Sequence, residues 1–206
     1  MKKSNIAPYI LAISLIALLP QAWPQDQQST NHSGGSSHKL RITSATFSDG
    51  GTIPLSMVFN NCPAYPGGAN QSPQLSWTGA PNRTRSFVVV AYDVTASFTH
   101  WGMYNIAAST TSLPVNAGIA GSTNGTQVSN DFGFLSYDGP CPPTTATPVS
   151  HQYVFTVYAL DVTLPTLPTY GDFPPGAEAL YHALIAAGRN RNILESASIS
   201  GFFPGQ

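Results

Sequence analysis

Two long apolar segments constrain the fold of this chain more than any other feature of its sequence. Ser86–Tyr92 and Tyr153–Leu160 are almost continuously apolar and are rich in β-branched and aromatic residues. Such residues favour strands, and a strand that is apolar throughout is one whose two faces are both covered. The two segments therefore predict central strands of a sheet.

Turn-forming residues recur along the whole chain, which contains 18 glycines and 18 prolines. This spacing favours many short strands rather than long helices. The segment Phe47–Pro54 includes a Gly-Gly turn. Further strands are predicted at Leu40–Thr46, Leu75–Trp77, Gly102–Ile106 and Ser198–Phe203.

Helical periodicity is found only near the C-terminus. Apolar residues three and four positions apart predict a helix over Ala177–Ala187, with Gly188 as its C-terminal stop. A second short helix is predicted at Arg191–Ser196. The fold class is therefore mainly β, with two packed sheets and one or two peripheral C-terminal helices.

The N-terminal part of the chain has the pattern of a targeting segment. Lys2 and Lys3 precede the apolar run Ile6–Leu19, as in a secretory signal peptide, and an uncleaved anchor is the alternative. We expect a signal peptide over residues 1–24, a flexible polar linker over residues 25–39 and one folded domain over residues 40–206. This organisation predicts a secreted or periplasmic protein.

Charge and cysteine content exclude some classes of function. Only 8% of the residues are charged and the net charge is −1, so the chain lacks the basic stripe of a nucleic-acid-binding protein. The two cysteines, Cys62 and Cys141, are expected to form a disulfide in an oxidising compartment, and two buried thiols are the alternative. The sequence has no C-x-x-C motif, so a zinc site is not expected.

Polar residues at the ends of the β-prone segments predict a small anion pocket. Asp93 follows the first central segment, His100 opens the next strand, and His151 and Tyr153 begin the second central segment. The loop Gly139–Pro143 contributes backbone amides. Two imidazoles, a carboxylate, a phenol and such a loop suit a phosphoryl group, with Asp93 orienting one imidazole rather than touching the anion.

Three other interpretations use the same residues. Asp93, His100 and His151 have the composition of a two-histidine, one-carboxylate metal triad. A hydrolase would need a nucleophile beside a histidine, for which Cys141, Ser136 and Ser150 are available. Both histidines could instead be buried and satisfied by structural neighbours.

Several ordered motifs carry a resemblance to a known family. They are Phe47–Pro54, Asn70–Trp77, Gly79–Pro81, Ser86–Phe87, Asp93, His100–Trp101, Asn105–Ile106, Asn130–Gly133, Tyr137–Pro143 and His151–Asp161. In these motifs the chain resembles the phosphatidylethanolamine-binding protein (PEBP) family, in its bacterial Raf-kinase-inhibitor-like branch. The resemblance spans residues 42–201, and it implies a β-sandwich with C-terminal helices and an anion pocket at one end.

The resemblance also implies which residues form that pocket. They are Asp93, His100, His151 and Tyr153, together with Tyr137 and the backbone of Gly139, Pro140 and Cys141. The chain departs from the family's D-P-D-A-P motif, since Thr95 replaces the second aspartate and Ser97 the final proline. Ala107 replaces the proline of the family's N-I-P motif, and Asn192 stands where a histidine is often found.

The function expected from these observations is that of an exported binding protein without a cofactor. Its partner would be a phosphorylated small molecule or a phospholipid head group, bound more weakly as pH rises through the histidine pKa. The alternative is a protein-interaction modulator that acts on a kinase or a protease. A weak hydrolase or metal-dependent enzyme is a third hypothesis.

Overall fold

The computed structural model describes residues 39–145 and 149–205. The predicted signal peptide and all of the predicted linker except Lys39 lie outside the described residues. Among the described residues, the longest α-helix has 13 residues, and no helix meets the length and apolarity needed to cross a membrane.

The larger of two sheets has six strands and contains both apolar segments at its centre. Its order is β2-β9-β8-β4-β5-β7, and all neighbours are antiparallel except β2 and β9. The strands are β2 (Gly51–Thr52), β4 (Ser86–Asp93), β5 (Phe98–Ala107), β7 (Thr126–Gln127), β8 (His151–Leu160) and β9 (Ile193–Phe203).

The smaller sheet has three antiparallel strands in the order β1-β3-β6. They are β1 (Arg41–Thr43), β3 (Leu75–Thr78) and β6 (Ser112–Leu113), and a short 3₁₀ helix spans Leu55–Met57. One α-helix, α1, spans Ala177–Arg189. The predicted class, a mainly β protein with two sheets and a C-terminal helix, is confirmed.

Both faces of the central strands are covered, as their composition predicted. On one face, Phe87 and Val89 of β4 pack with Trp77 of the smaller sheet in one apolar cluster. On the other face, Val88 and Val90 pack with Leu180 and Leu184 of α1 in a second cluster. The alternation of side chains along a strand sends successive residues to opposite clusters.

The C-terminal region differs from the prediction in two respects. Helix α1 continues through Gly188 to Arg189, and its C-cap is Asn190. The second helix predicted at Arg191–Ser196 is wrong, because β9 begins at Ile193 and pairs with β8 along almost its whole length. Six residues are too few for a stable helix, and pairing with a central strand overrides their weak local preference.

Candidate functional site

Three neighbouring strands bring the predicted polar residues to one end of the larger sheet. Asp93 is the last residue of β4 and lies opposite Tyr153 of β8. His151 is the first residue of β8, two positions before Tyr153, so strand alternation places both side chains on one face. That face is the one turned toward the smaller sheet, because Phe155, two residues further on, belongs to the cluster between the sheets.

His100 joins this group through a β-bulge in β5. Ala91 pairs with Trp101 and the next residue, Tyr92, pairs with Thr99, so His100 is an extra residue with no partner on β4. A bulge re-aims the side chain it carries. Although His100 and Trp101 are adjacent in sequence, the bulge allows His100 to line the cavity while Trp101 packs in the core between the sheets.

The group surrounds a cavity of about 190 Å³. Its polar lining consists of Asp93, His100, His151 and Tyr153. Its remaining walls are Ala96, Phe98, Phe132, Cys141, Pro142 and Pro143. The cavity thus brings together four of the eight predicted ligand-binding residues, and Cys141 is a fifth member of its wall.

Asp93 is the organising acceptor of the cavity. Its side chain is only 2% exposed. Oδ1 accepts the backbone N–H groups of Thr95 (2.8 Å) and Ala96 (3.0 Å), and Oδ2 lies 2.7 Å from Nδ1 of His151. The carboxylate is thus surrounded by donors of the protein, one of which is the His151 imidazole.

The turn after Asp93 is ordered despite its departure from the family motif. Thr95 donates its N–H to Asp93, and its Oγ1 accepts the N–H of Gln152 at 3.0 Å. Ser97 takes a left-handed conformation with φ of 55°. Thr95 therefore ties β4 to β8 at the position where the family has its second carboxylate.

His100 is held by a backbone carbonyl rather than by a carboxylate. Its Nδ1 lies 2.6 Å from the carbonyl oxygen of Asp138, and its ring packs at 5.2 Å from that of Tyr153. Burial lowers the pKa of His100, because the charged imidazolium loses its hydration in the interior. The neighbouring carbonyl and the carboxylates of Asp93 and Asp138 oppose this effect only in part.

Tyr153 completes the polar wall. Burial raises its pKa, and the charge of Asp93 and a hydrogen bond with that carboxylate raise it further. The phenol is therefore protonated throughout the physiological range.

The carbonyl that holds His100 belongs to a buried polar clamp that sequence reasoning missed. The Asp138 carboxylate accepts the side-chain amide of Asn70 (2.8 Å) on Oδ1 and that of Asn130 (2.7 Å) on Oδ2. Asn130 also accepts the N–H groups of Phe132 and Phe134. Asn70, Asn130 and Asp138 all lie in the motifs that carry the family resemblance, which is the signal that could have singled them out.

Three predicted site residues do not line the cavity and instead hydrogen-bond the loop of residues 136–143 to other parts of the protein. The Tyr137 hydroxyl donates to the carbonyl of Met57 at 3.0 Å, and its burial raises its pKa. The Gly139 N–H donates to Oδ1 of Asn70 at 2.8 Å, and the Pro140 carbonyl accepts the N–H of Phe59. Contrary to the expectation of an amide cradle, the Gly139 amide is used inside the protein.

The expected disulfide joins Cys62 to Cys141 across 79 residues. Cys62 is buried in the inter-sheet core and Cys141 lines the cavity. The covalent bond therefore attaches the wall of the cavity to the body of the protein.

The hydrolase and metal interpretations depend on the surroundings of the candidate nucleophiles and on clusters of metal-ligating side chains. Cys141 is oxidised, the Ser136 hydroxyl lies 3.3 Å from the Asp138 carboxylate, and the Ser150 hydroxyl lies 3.5 Å from the Phe203 carbonyl. Within residues 39–145 and 149–205, no group of three or more His, Cys, Asp and Glu side chains has an arrangement that would hold a metal ion.

Comparison with known proteins identifies similar chains. The family model of phosphatidylethanolamine-binding protein matches residues 43–203. YbhB of Escherichia coli is 35% identical over 171 residues, which cover 80% of this chain and 99% of YbhB. YbcL of the same organism is 38% identical over 129 residues, which cover 59% of this chain and 68% of YbcL.

Solved structures show the same similarity. The crystal structure of E. coli YbcL, described as a new member of the mammalian PEBP family, has a TM-score of 0.66 and 33% identity, covering 80% of this chain and 98% of YbcL. The crystal structure of CT736 of Chlamydia trachomatis has a TM-score of 0.62 and 27% identity, covering 81% of this chain and 98% of CT736.

Proposed function

Because the chain belongs to the phosphatidylethanolamine-binding protein family, we propose that its cavity binds a small phosphorylated anion, either free or as a phospholipid head group. One observation carries the proposal. The Asp93–His151 pair, at 2.7 Å, stands beside the buried His100 in a cavity of about 190 Å³.

His151 is the side chain best suited to hold the anion. Its Nδ1 is directed to Asp93, which leaves Nε2 as the nitrogen available to a ligand. When the ring carries two protons, Nε2–H donates to an anionic oxygen, and the Asp93 charge compensates the imidazolium. Asp93 itself keeps its oxygens on protein donors and so does not face the anion.

The walls of the cavity influence affinity in opposite directions. Phe98, Phe132, Pro142 and Pro143 shield the polar group from water, which strengthens a charge-assisted hydrogen bond. The described part of the lining contains no lysine or arginine. We expect modest affinity, and affinity that declines when His151 loses the proton on Nε2.

We also propose that the protein acts outside the cytoplasm and binds without turnover. The disulfide supports an oxidising compartment, as does the signal-like sequence of residues 1–24. Binding without turnover is supported by the oxidation of Cys141, which removes the most nucleophilic side chain of the cavity wall.

Titration of the purified protein with inorganic phosphate and O-phosphorylethanolamine at pH 6, followed by NMR, tests the proposal. The wild type should show saturable shifts at the cavity residues, and His151→Ala should bind at least about tenfold more weakly, the loss of one charge-assisted hydrogen bond. His182→Ala is the matched control, because His182 lies on the exposed surface of α1.

Three outcomes would contradict the proposal. Absence of saturable binding by the wild type would remove the anion pocket, and an equal loss in both variants would locate the effect outside the cavity. The third outcome is release of inorganic phosphate from a phosphomonoester by the wild type. If His151→Ala abolished this release, the site would be catalytic and the proposal of binding without turnover would be wrong.

A further inference from the structure

The polar wall of the cavity contains hydrogen-bond acceptors, although the proposed ligand is an anion. Asp93 receives protons from two backbone amides and from His151. Since a carboxylate only accepts, Asp93 offers the cavity no donor.

His100 is a second acceptor. Its Nδ1 lies 2.6 Å from the Asp138 carbonyl oxygen, and a carbonyl cannot donate, so Nδ1 carries the proton. A neutral imidazole has a single N–H. The other nitrogen, Nε2, therefore carries a lone pair, on a side chain that lines the cavity and is only 5% exposed.

The surroundings of His100 favour this neutral form. The titratable groups around it are Asp93 on β4, His151 and Tyr153 on β8, and Asp138 on the loop that holds it. Burial outweighs the attraction of the two carboxylates and keeps the pKa of His100 low. The rings of Phe98 and Phe132 pack against the imidazole at 5.0 and 5.8 Å, which removes it further from water.

On the premise of the proposed function, we propose that His100 acts as a hydrogen-bond acceptor that makes the cavity select a singly protonated phosphomonoester. This species has a P–OH group that donates to Nε2 of His100 and anionic oxygens that accept from Nε2–H of His151. A phosphodiester, such as the phosphate of a phospholipid, has no P–OH and leaves the buried lone pair of His100 without a partner. An unpaired buried polar atom carries a cost, and this cost is the source of selectivity.

Methyl phosphate and methyl sulfate are matched probes of this selectivity. At pH 5.5 methyl phosphate is mainly a monoanion, since the second pKa of a phosphomonoester is about 6. Methyl sulfate has the same size and charge but no acidic proton. We expect the wild type to bind methyl phosphate about tenfold more tightly than methyl sulfate or dimethyl phosphate, the equivalent of one hydrogen bond.

The variant His100→Asn tests the residue responsible. Its amide nitrogen can still donate to the Asp138 carbonyl, but it has no counterpart of Nε2. The preference for methyl phosphate should disappear in this variant and should persist in His182→Asn. Nitrogen NMR of the wild-type imidazoles, which needs no variant, should find His100 with its proton on Nδ1 and none on Nε2.

The outcomes separate this inference from the proposed function. Equal binding of methyl phosphate and methyl sulfate at pH 5.5, or a proton on Nε2 of the free protein, would overturn the acceptor role while the anion pocket stands. A wild type that binds none of the three probes would overturn both.

Discussion

His100 is a buried imidazole, and its position should make the stability of the protein depend on pH. In the unfolded chain this side chain takes up a proton near the ordinary pKa of about 6.5. Burial lowers the pKa in the folded protein, so the folded state binds a proton only at lower pH. Between these two pH values the unfolded state binds more protons, and stability therefore falls as pH falls.

Urea unfolding measured from pH 8 down to pH 4.5 tests this prediction. The contribution of His100 should be constant above about pH 7 and should then decrease by up to about 1.4 kcal/mol per pH unit. The variant His100→Asn should lose this component, whereas His182→Asn should keep it, because His182 is an exposed residue of α1. A wild-type slope that persists in His100→Asn would assign the effect to other groups.

The loop of residues 136–143 packs with its backbone directly against the 3₁₀ segment Leu55–Met57, at Gly139. A Cβ added to Gly139 would lie 1.7 Å from the carbonyl oxygen of Met57. No rotamer relieves this clash, because the backbone of residue 139 fixes the position of Cβ and the oxygen belongs to the backbone of Met57. Gly139→Ala must displace either the loop or the 3₁₀ segment, and displacement of the loop breaks the Asn70–Gly139 hydrogen bond.

Gly139→Ala should destabilise the protein by about 2–4 kcal/mol and should weaken binding of O-phosphorylethanolamine, since the loop also carries the carbonyl that holds His100. The control is Gly188→Ala in α1, where the added Cβ meets only Cδ1 of Ile193 at 3.7 Å and helix propensity favours alanine. Thermal unfolding of the two variants provides the comparison. Equal stabilities would mean that the loop accommodates a side chain.

At the scale of the whole molecule, one covalent bond joins distant parts of the chain. The Cys62–Cys141 disulfide closes a loop of 79 residues, and loop entropy alone predicts a contribution of about 4–5 kcal/mol to the free energy of unfolding. Urea unfolding with and without reductant should show this difference. The double variant Cys62→Ala, Cys141→Ala should be insensitive to reductant and about as unstable as the reduced wild type.

Reduction should also affect the ligand site, because Cys141 is part of the cavity wall. We expect the reduced protein to bind O-phosphorylethanolamine more weakly at urea concentrations where it is still folded. Unchanged affinity of the folded, reduced protein would show that the wall keeps its shape without the covalent bond.

The sequence by itself predicted the elements whose character is local. The compositions of β4 and β8 and the apolar periodicity of α1 are properties of short segments, so those elements were found almost at their observed bounds. The motif resemblance also identified the family. It named Asp93, His100, His151 and Tyr153, which three neighbouring strands bring together around one cavity.

Only the tertiary structure decided how the hydrogen bonds of the site are shared. The bulge at His100 depends on the pairing of β5 with β4, and the choice of strand over helix after Arg191 depends on β8. The Gly139 amide is occupied by Asn70, which is 69 residues away in sequence. Contacts of this range leave no local pattern, because a donor takes the acceptor that folding places next to it.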